Sequence, residues 1–237
     1  MKWRALFFIF FSTCSFQLKA QKSRIWLRHF DTHKVGASAS VNSDYAYVNW
    51  LDGHRDRFQV RSKYVLPLSK SKVFTLGIGG GFWKDWWHNN QGETPSNLWQ
   101  NEIRLNQDFG AKHGLGIDHL KVTHRLRFEE RYFWRENGKE DWAVRLRYLV
   151  GLNYYFPWPN VANGKQVFVM VINEIFMASP TNQAVVNDPE TNRFSLGMGY
   201  KIGEHWQIDF TYILEDNLTK GFRLYENVFQ LVVRSRF

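Results

Sequence analysis

Arginine and carboxylate side chains recur at every second position over several stretches of this chain. Arg125, Arg127, Glu129 and Arg131 form one such row, Glu102, Arg104 and Asp108 a second, and Arg145 and Arg147 a third. A guanidinium presents its N–H groups as a rigid fork that binds carboxylates bidentately, and this matters most where water is scarce. With Glu174 and Arg193 from later stretches, the rows predict one interior network of Arg125, Arg127, Glu129, Arg131, Arg145, Arg147, Glu174 and Arg193. Such a network either fills an enclosed space with ion pairs or lines a narrow anion-preferring pore.

Other chemistry-bearing strings carry less. A hydrolase needs a serine activated by histidine with a third group orienting the ring. His124 and Ser195 have the right types, but no spacing ties them together, so a lipid-modifying hydrolase ranks third and no catalytic residue is assigned. His113, Asp118 and His119 match no metal-ligand spacing and read as solvated turn residues, so neither metal nor cofactor is expected. The glycines at 77 and 79–81 suggest a phosphate loop but lie inside a strand pattern and open no helix; easing of sheet curvature accounts for them. The aromatic run at 82–88 could stack on a sugar or a partner, and a ring girdle at a lipid interface explains it more simply.

The elements that must position these side chains alternate apolar and polar residues with period two, the signature of strands. In 99–109, Trp99, Ile103, Leu105 and Phe109 share one face, with Glu102, Arg104 and Asp108 on the other. The pattern returns at 58–66, 74–82, 120–132, 142–154, 194–202, 206–214 and 225–237, and 167–177 is apolar on both faces apart from Asn173 and Glu174. One more strand at 44–51 makes ten, an even number with both ends on the periplasmic side, and a further short stretch at 25–30 leaves twelve open. Turns are expected at 69–71, 110–118, 157–164 and 203–204, and outer loops at 83–97, 135–140, 178–191 and 215–223.

The expected fold is therefore all-β, an antiparallel transmembrane β-barrel over residues 21–237. Its apolar face carries so many Phe, Tyr, Trp and Leu side chains that a small closed interior could not hold them. Turned outward, they meet lipid. The chain has 11 Trp and 20 Phe in 237 residues, yet its mean hydropathy is -0.44, a value a soluble protein also shows, so the placing of the apolar residues along the chain decides and not their average. Aromatics gather near expected strand ends, at Trp83, Trp86 and Trp87, at Phe133, Trp134 and Trp142, and at Tyr155 and Trp158.

Residues 1–20 stand apart, with Lys2 and Arg4, an apolar run from Ala5 to Phe16, and Ala20 as the small residue before cleavage. They read as a signal peptide, so a mature chain would start at Gln21 and lack the single cysteine, Cys14. Residues 11–13 poorly match the context of a lipid-modified cysteine. The net charge is +9, and an exported alternating chain of this kind suits an envelope rich in lipid phosphate better than it suits nucleic acid. The expected location is the bacterial outer membrane, with its lipid, lipopolysaccharide and barrel assembly machinery as partners.

The closing stretch alternates Tyr225, Phe229, Leu231, Val233 and a terminal Phe237, which resembles the sorting signal read by outer-membrane assembly machinery. Together with the segments 125–131 (RLRFEER) and 192–200 (NRFSLGMGY), it resembles a family of small bacterial outer-membrane barrels catalogued as a domain of unknown function. The resemblance covers most of residues 21–237 and implies fold and location. It carries no activity to transfer.

Overall fold

The computed structural model describes residues 22–88, 98–157, 165–178, 191–219 and 222–237. The expected signal peptide and its cleavage site, Trp158 and the expected loop 178–191, apart from its two ends, lie outside the described residues. Eleven strands close into one barrel in sequence order. They are β1 (Lys22–Val35), β2 (Ala39–Trp50), β3 (Arg55–Pro67), β4 (Phe74–Trp87), β5 (Leu98–Gly114), β6 (Leu120–Arg135), β7 (Glu140–Tyr155), β8 (Gln166–Ala178), β9 (Thr191–Ile202), β10 (Trp206–Thr219) and β11 (Phe222–Arg236).

Among the described residues the count is eleven, not ten or twelve, and the sheet is not antiparallel throughout. An odd number of sequential strands leaves the first and last running the same way, so closure must pair them in parallel, as β1 and β11 do from Lys22↔Glu226 to Thr32↔Arg236. Lys22 and Phe237 consequently lie at opposite ends of the barrel, which corrects the expectation that both ends share one side. The seam is sealed at the Phe237 end, where the Phe237 amide donates to Thr32 O and the Lys34 amide to Phe237 O, both at 2.9 Å. The Phe237 ring stacks on His33 at 5.4 Å and meets Trp206 edge-on at 6.3 Å.

Several strands outrun their expected bounds because backbone pairing continues where side-chain alternation fades. β5 runs on to Gly114 through the expected turn at 110–118, β4 to Trp87 through the start of the expected loop at 83–97, and β10 to Thr219 inside the expected loop at 215–223. Tight connections bend at residues with positive φ, among them Gly36 at 64°, Gly116 at 75° and Gly203 at 71°, a region glycine enters without steric cost. His119 adopts it too, at 67°, in the β5–β6 turn.

The polarity of the wall is inverted relative to a soluble protein. Ile78 is 58% exposed, Met198 55% and Leu105 54%, whereas Asp44 and Glu102 are each 1% exposed and Asp85 0%. Alternation puts successive residues on opposite faces, so most of the Leu, Phe, Tyr and Ile side chains point outward and most of the Arg, Asp and Glu side chains inward.

Candidate functional site

The inward charges are organised by register. Directly opposite one another on adjacent strands stand Asp108 and Arg127, Glu129 and Arg145, Glu174 and Arg193, and Arg193 and Glu215. Cross-strand neighbours on one face are close enough for their side chains to pair. Glu129 is the centre on β6: Arg145 donates to its Oε2 at 2.5 and 2.8 Å, and Arg147 to its Oε1 at 2.8 Å. Arg127 reaches the same Oε1 at 3.4 Å while forking onto Asp108 at 2.5 and 2.8 Å. Arg147 also donates to both oxygens of Glu174, at 2.8 and 2.9 Å, and Arg125 reaches Glu174 at 2.5 Å.

Six of the eight residues singled out from the sequence, Arg125, Arg127, Glu129, Arg145, Arg147 and Glu174, are thus joined by these contacts alone. Arg131 donates to Glu102 at 2.6 Å beside Arg104, which also binds Glu102. Arg193 pairs with Glu215, and Glu215 with Arg24 at 2.7 Å.

The sequence reading placed Arg61 and Lys63 on the inward face but left the charges of β1 to β4 out of its eight-residue network, and it missed Arg28, Asp44, Arg55, Arg57 and Asp85. Asp44 accepts two bonds from Arg28, at 2.7 and 3.2 Å, and one from Arg61. Asp85 accepts from Arg57 at 2.7 and 3.0 Å and from Arg55 at 3.0 Å. The signal was present in the alternation of Arg55, Arg57, Gln59, Arg61 and Lys63. Starting that strand at Phe58 cut off its first two arginines.

β4 contributes glycines where the ladder needs space. Lys63 on β3 reaches across β4 to Asp108 on β5, with Nζ 2.6 Å from Oδ2. A Cβ on Gly79 would lie 2.4 Å from Lys63 Cβ and 2.2 Å from Ser62 O, and one on Gly81 2.5 Å from Arg61 Cβ. The glycine run therefore seats its neighbours' long side chains as well as fitting a curved wall.

Aromatic rings line the same space, which corrects the placing of Trp83 and Phe133 in an interfacial girdle. Both point inward because inward parity continues along their strands. Trp83 is 3% exposed, donates Nε1–H to Gln59 Oε1 at 2.9 Å, and carries the Arg104 guanidinium 3.9 Å from its ring centre. Phe133 lies under Arg131 at 4.6 Å, and Phe176 under Arg147 at 4.4 Å and Arg193 at 4.6 Å. Guanidinium groups over ring faces gain cation–π attraction, and more when desolvated. Between these groups remains an internal cavity of about 610 Å³.

His124 and Ser195 are not brought together. His124 sits outward, its Nδ1 2.9 Å from Tyr148 Oη, whereas Ser195 is buried on the inward face of β9. His29 and Ser235 do meet, at 3.1 Å across the β1–β11 seam, but Ser235 is 1% exposed and offers no approach to a substrate. His113 lies in β5, not in a turn, and stacks on His124 at 5.6 Å. Among the described residues, no group of three or more His, Cys, Asp or Glu is placed to hold a metal ion.

No curated protein matches the chain. A family model described as a protein of unknown function (DUF2490) matches residues 23–222, a span running from the first strand into the last, and on that match the chain belongs to this family.

Proposed function

We propose that this protein is an outer-membrane β-barrel whose ion-paired interior is occluded and whose role in the envelope is structural or recognition-based. The single observation that carries this reading is the inverted polarity: a continuous exposed apolar wall around a buried charged interior. Monomeric soluble proteins rarely expose apolar surface on that scale. The strands are 12 to 17 residues long, enough for the roughly 9 to 11 that a tilted strand needs to cross the hydrocarbon core. The partners in this reading are envelope lipid, lipopolysaccharide and the assembly machinery that would read Phe237. With His124 and Ser195 on opposite faces of the wall, the reading is non-enzymatic.

The test is fractionation of cells expressing the full chain. The expected result is a mature protein starting at Gln21 in the outer-membrane fraction, resistant to salt extraction and faster on gels when unheated. A predominantly soluble periplasmic pool would overturn the reading. The internal cavity and its excess of cations favour a second reading, a narrow anion-preferring pore, for which planar bilayers should show discrete anion-selective conductance.

A further inference from the structure

Among the described residues, the interior does not balance its own charge. Fourteen cationic side chains line the cavity against six carboxylates. Four other acids among the described residues have inward parity: Asp85, Asp108 and Glu129, which are 0%, 4% and 2% exposed and covered by the cations they bind, and Asp141, opposite Phe133 at the end of β7. Sharing is the rule: Glu129 serves three guanidinium groups, Asp44, Asp85, Glu102 and Glu174 two each, and Asp108 one arginine and one lysine. Each shared carboxylate leaves positive charge over. Uncompensated charge in a partly dehydrated space is costly, and the cavity is where a counter-charge would fit.

The surplus is concentrated. Arg61 lies within electrostatic range of Arg28, Arg127 and Arg147, and Arg125 within range of Arg127 and Arg147. Arg125 Nε is buried and has no hydrogen-bond acceptor among the described residues, although its Nη2 is engaged by Glu174.

Further cations gather at one end of the barrel. At the Phe237 end, Lys112 lies within electrostatic range of Lys121, Lys201 and Arg236, and Lys121 and Lys201 place their ammonium groups 5.3 and 4.7 Å from the ring of Tyr155. None of the four is ion-paired with a carboxylate among the described residues, and the acids in the turns at this end are Asp118 and Glu204, the latter near Lys201 and Arg236. Like charges gathered at a mouth raise the local concentration of anions.

We infer that the internal cavity is a binding site for a multivalent oxyanion of the phosphate class, entered from the Phe237 end and held where Arg61, Arg125, Arg127 and Arg147 converge. Guanidinium forks match the geometry of phosphate oxygens, and a divalent anion offsets more of the surplus than chloride does. The proposal rests on the charge arrangement and holds whether or not the barrel conducts or resides in the outer membrane.

The test uses the mature chain refolded in detergent, with folding checked by its shifted migration when unheated, and isothermal titration with inorganic phosphate, with pyrophosphate and with a short-chain phosphatidic acid below its micelle concentration. The expected result is saturable binding that chloride at physiological ionic strength does not displace, weakened about tenfold or more in Arg125→Gln, as loss of charge-assisted hydrogen bonds implies. Arg125→Lys, which keeps the charge and loses the Nε donor, should weaken it less, and Lys121→Gln with Lys201→Gln should slow association. Saturation by inorganic phosphate would assign a free ion, and saturation by the lipid alone a headgroup. Absence of saturation by all three probes in the folded protein, displacement by chloride, or equal affinity in the parent and both Arg125 variants would overturn the proposal.

Discussion

Glu129 accepts from Arg127, Arg145 and Arg147 at once, so it is the residue whose neutralisation should cost most. Removing one partner of a buried ionic cluster leaves uncompensated charge, typically about 3 to 5 kcal/mol. Glu129→Gln should lower unfolding stability by that order, measured by urea titration of the protein refolded into lipid vesicles. Glu226→Gln should cost less, because its partner Arg24 keeps Glu215. Equal losses would show that the Glu129 cluster is wet and screened. At this scale the sequence was informative about parity and poor about reach. Alternation placed Arg125, Arg127, Glu129 and Arg131 on one face, but which carboxylate each arginine meets depends on register between strands, which a single strand's pattern does not encode.

Among the elements, β4 is defined by what it lacks. A Cβ at Gly79 would collide with the β3 backbone and with Lys63, and overpacking of this kind typically costs about 1 to 3 kcal/mol. Gly79→Ala should therefore destabilise the barrel clearly, whereas Gly114→Ala, where the nearest contact is Leu120 O at 3.9 Å, should stay within about 0.5 kcal/mol; the same urea titration reads both. The closing strand makes a second prediction. Phe237 holds both the backbone seam to β1 and an aromatic cluster with His33 and Trp206, so deleting it should reduce the yield of the fast-migrating folded form on refolding. Undiminished refolding with impaired assembly in cells would assign its role to recognition alone. β5 to β7 and β9 to β11 were legible because their faces are chemically distinct. β1 was the element least visible, since Trp26 and Phe30 share the inward face with Arg24 and Arg28 and polar residues from Asp31 to Lys34 blur its second half. With β1 reduced to an optional short strand, an even count followed by default.

At the level of the whole molecule, the two faces of the wall should respond oppositely to charge. Arg placed at Leu126, which is 43% exposed on the outer face, should cost about 2 to 4 kcal/mol if the position lies near a bilayer midplane. Arg at Thr123, three residues before Leu126 on β6 and on the inward face, should cost much less in the same refolding assay. Equal costs would place both faces in a similar medium and remove the basis for a lipid-facing wall. The parallel seam has a consequence of sidedness. Because β1 and β11 point the same way, an epitope inserted just ahead of Lys22 and one fused behind Phe237 must emerge on opposite sides of any bilayer the barrel spans. In intact cells an impermeant antibody should therefore label one and never both, and a fusion partner's compartment is decided by the terminus chosen to carry it.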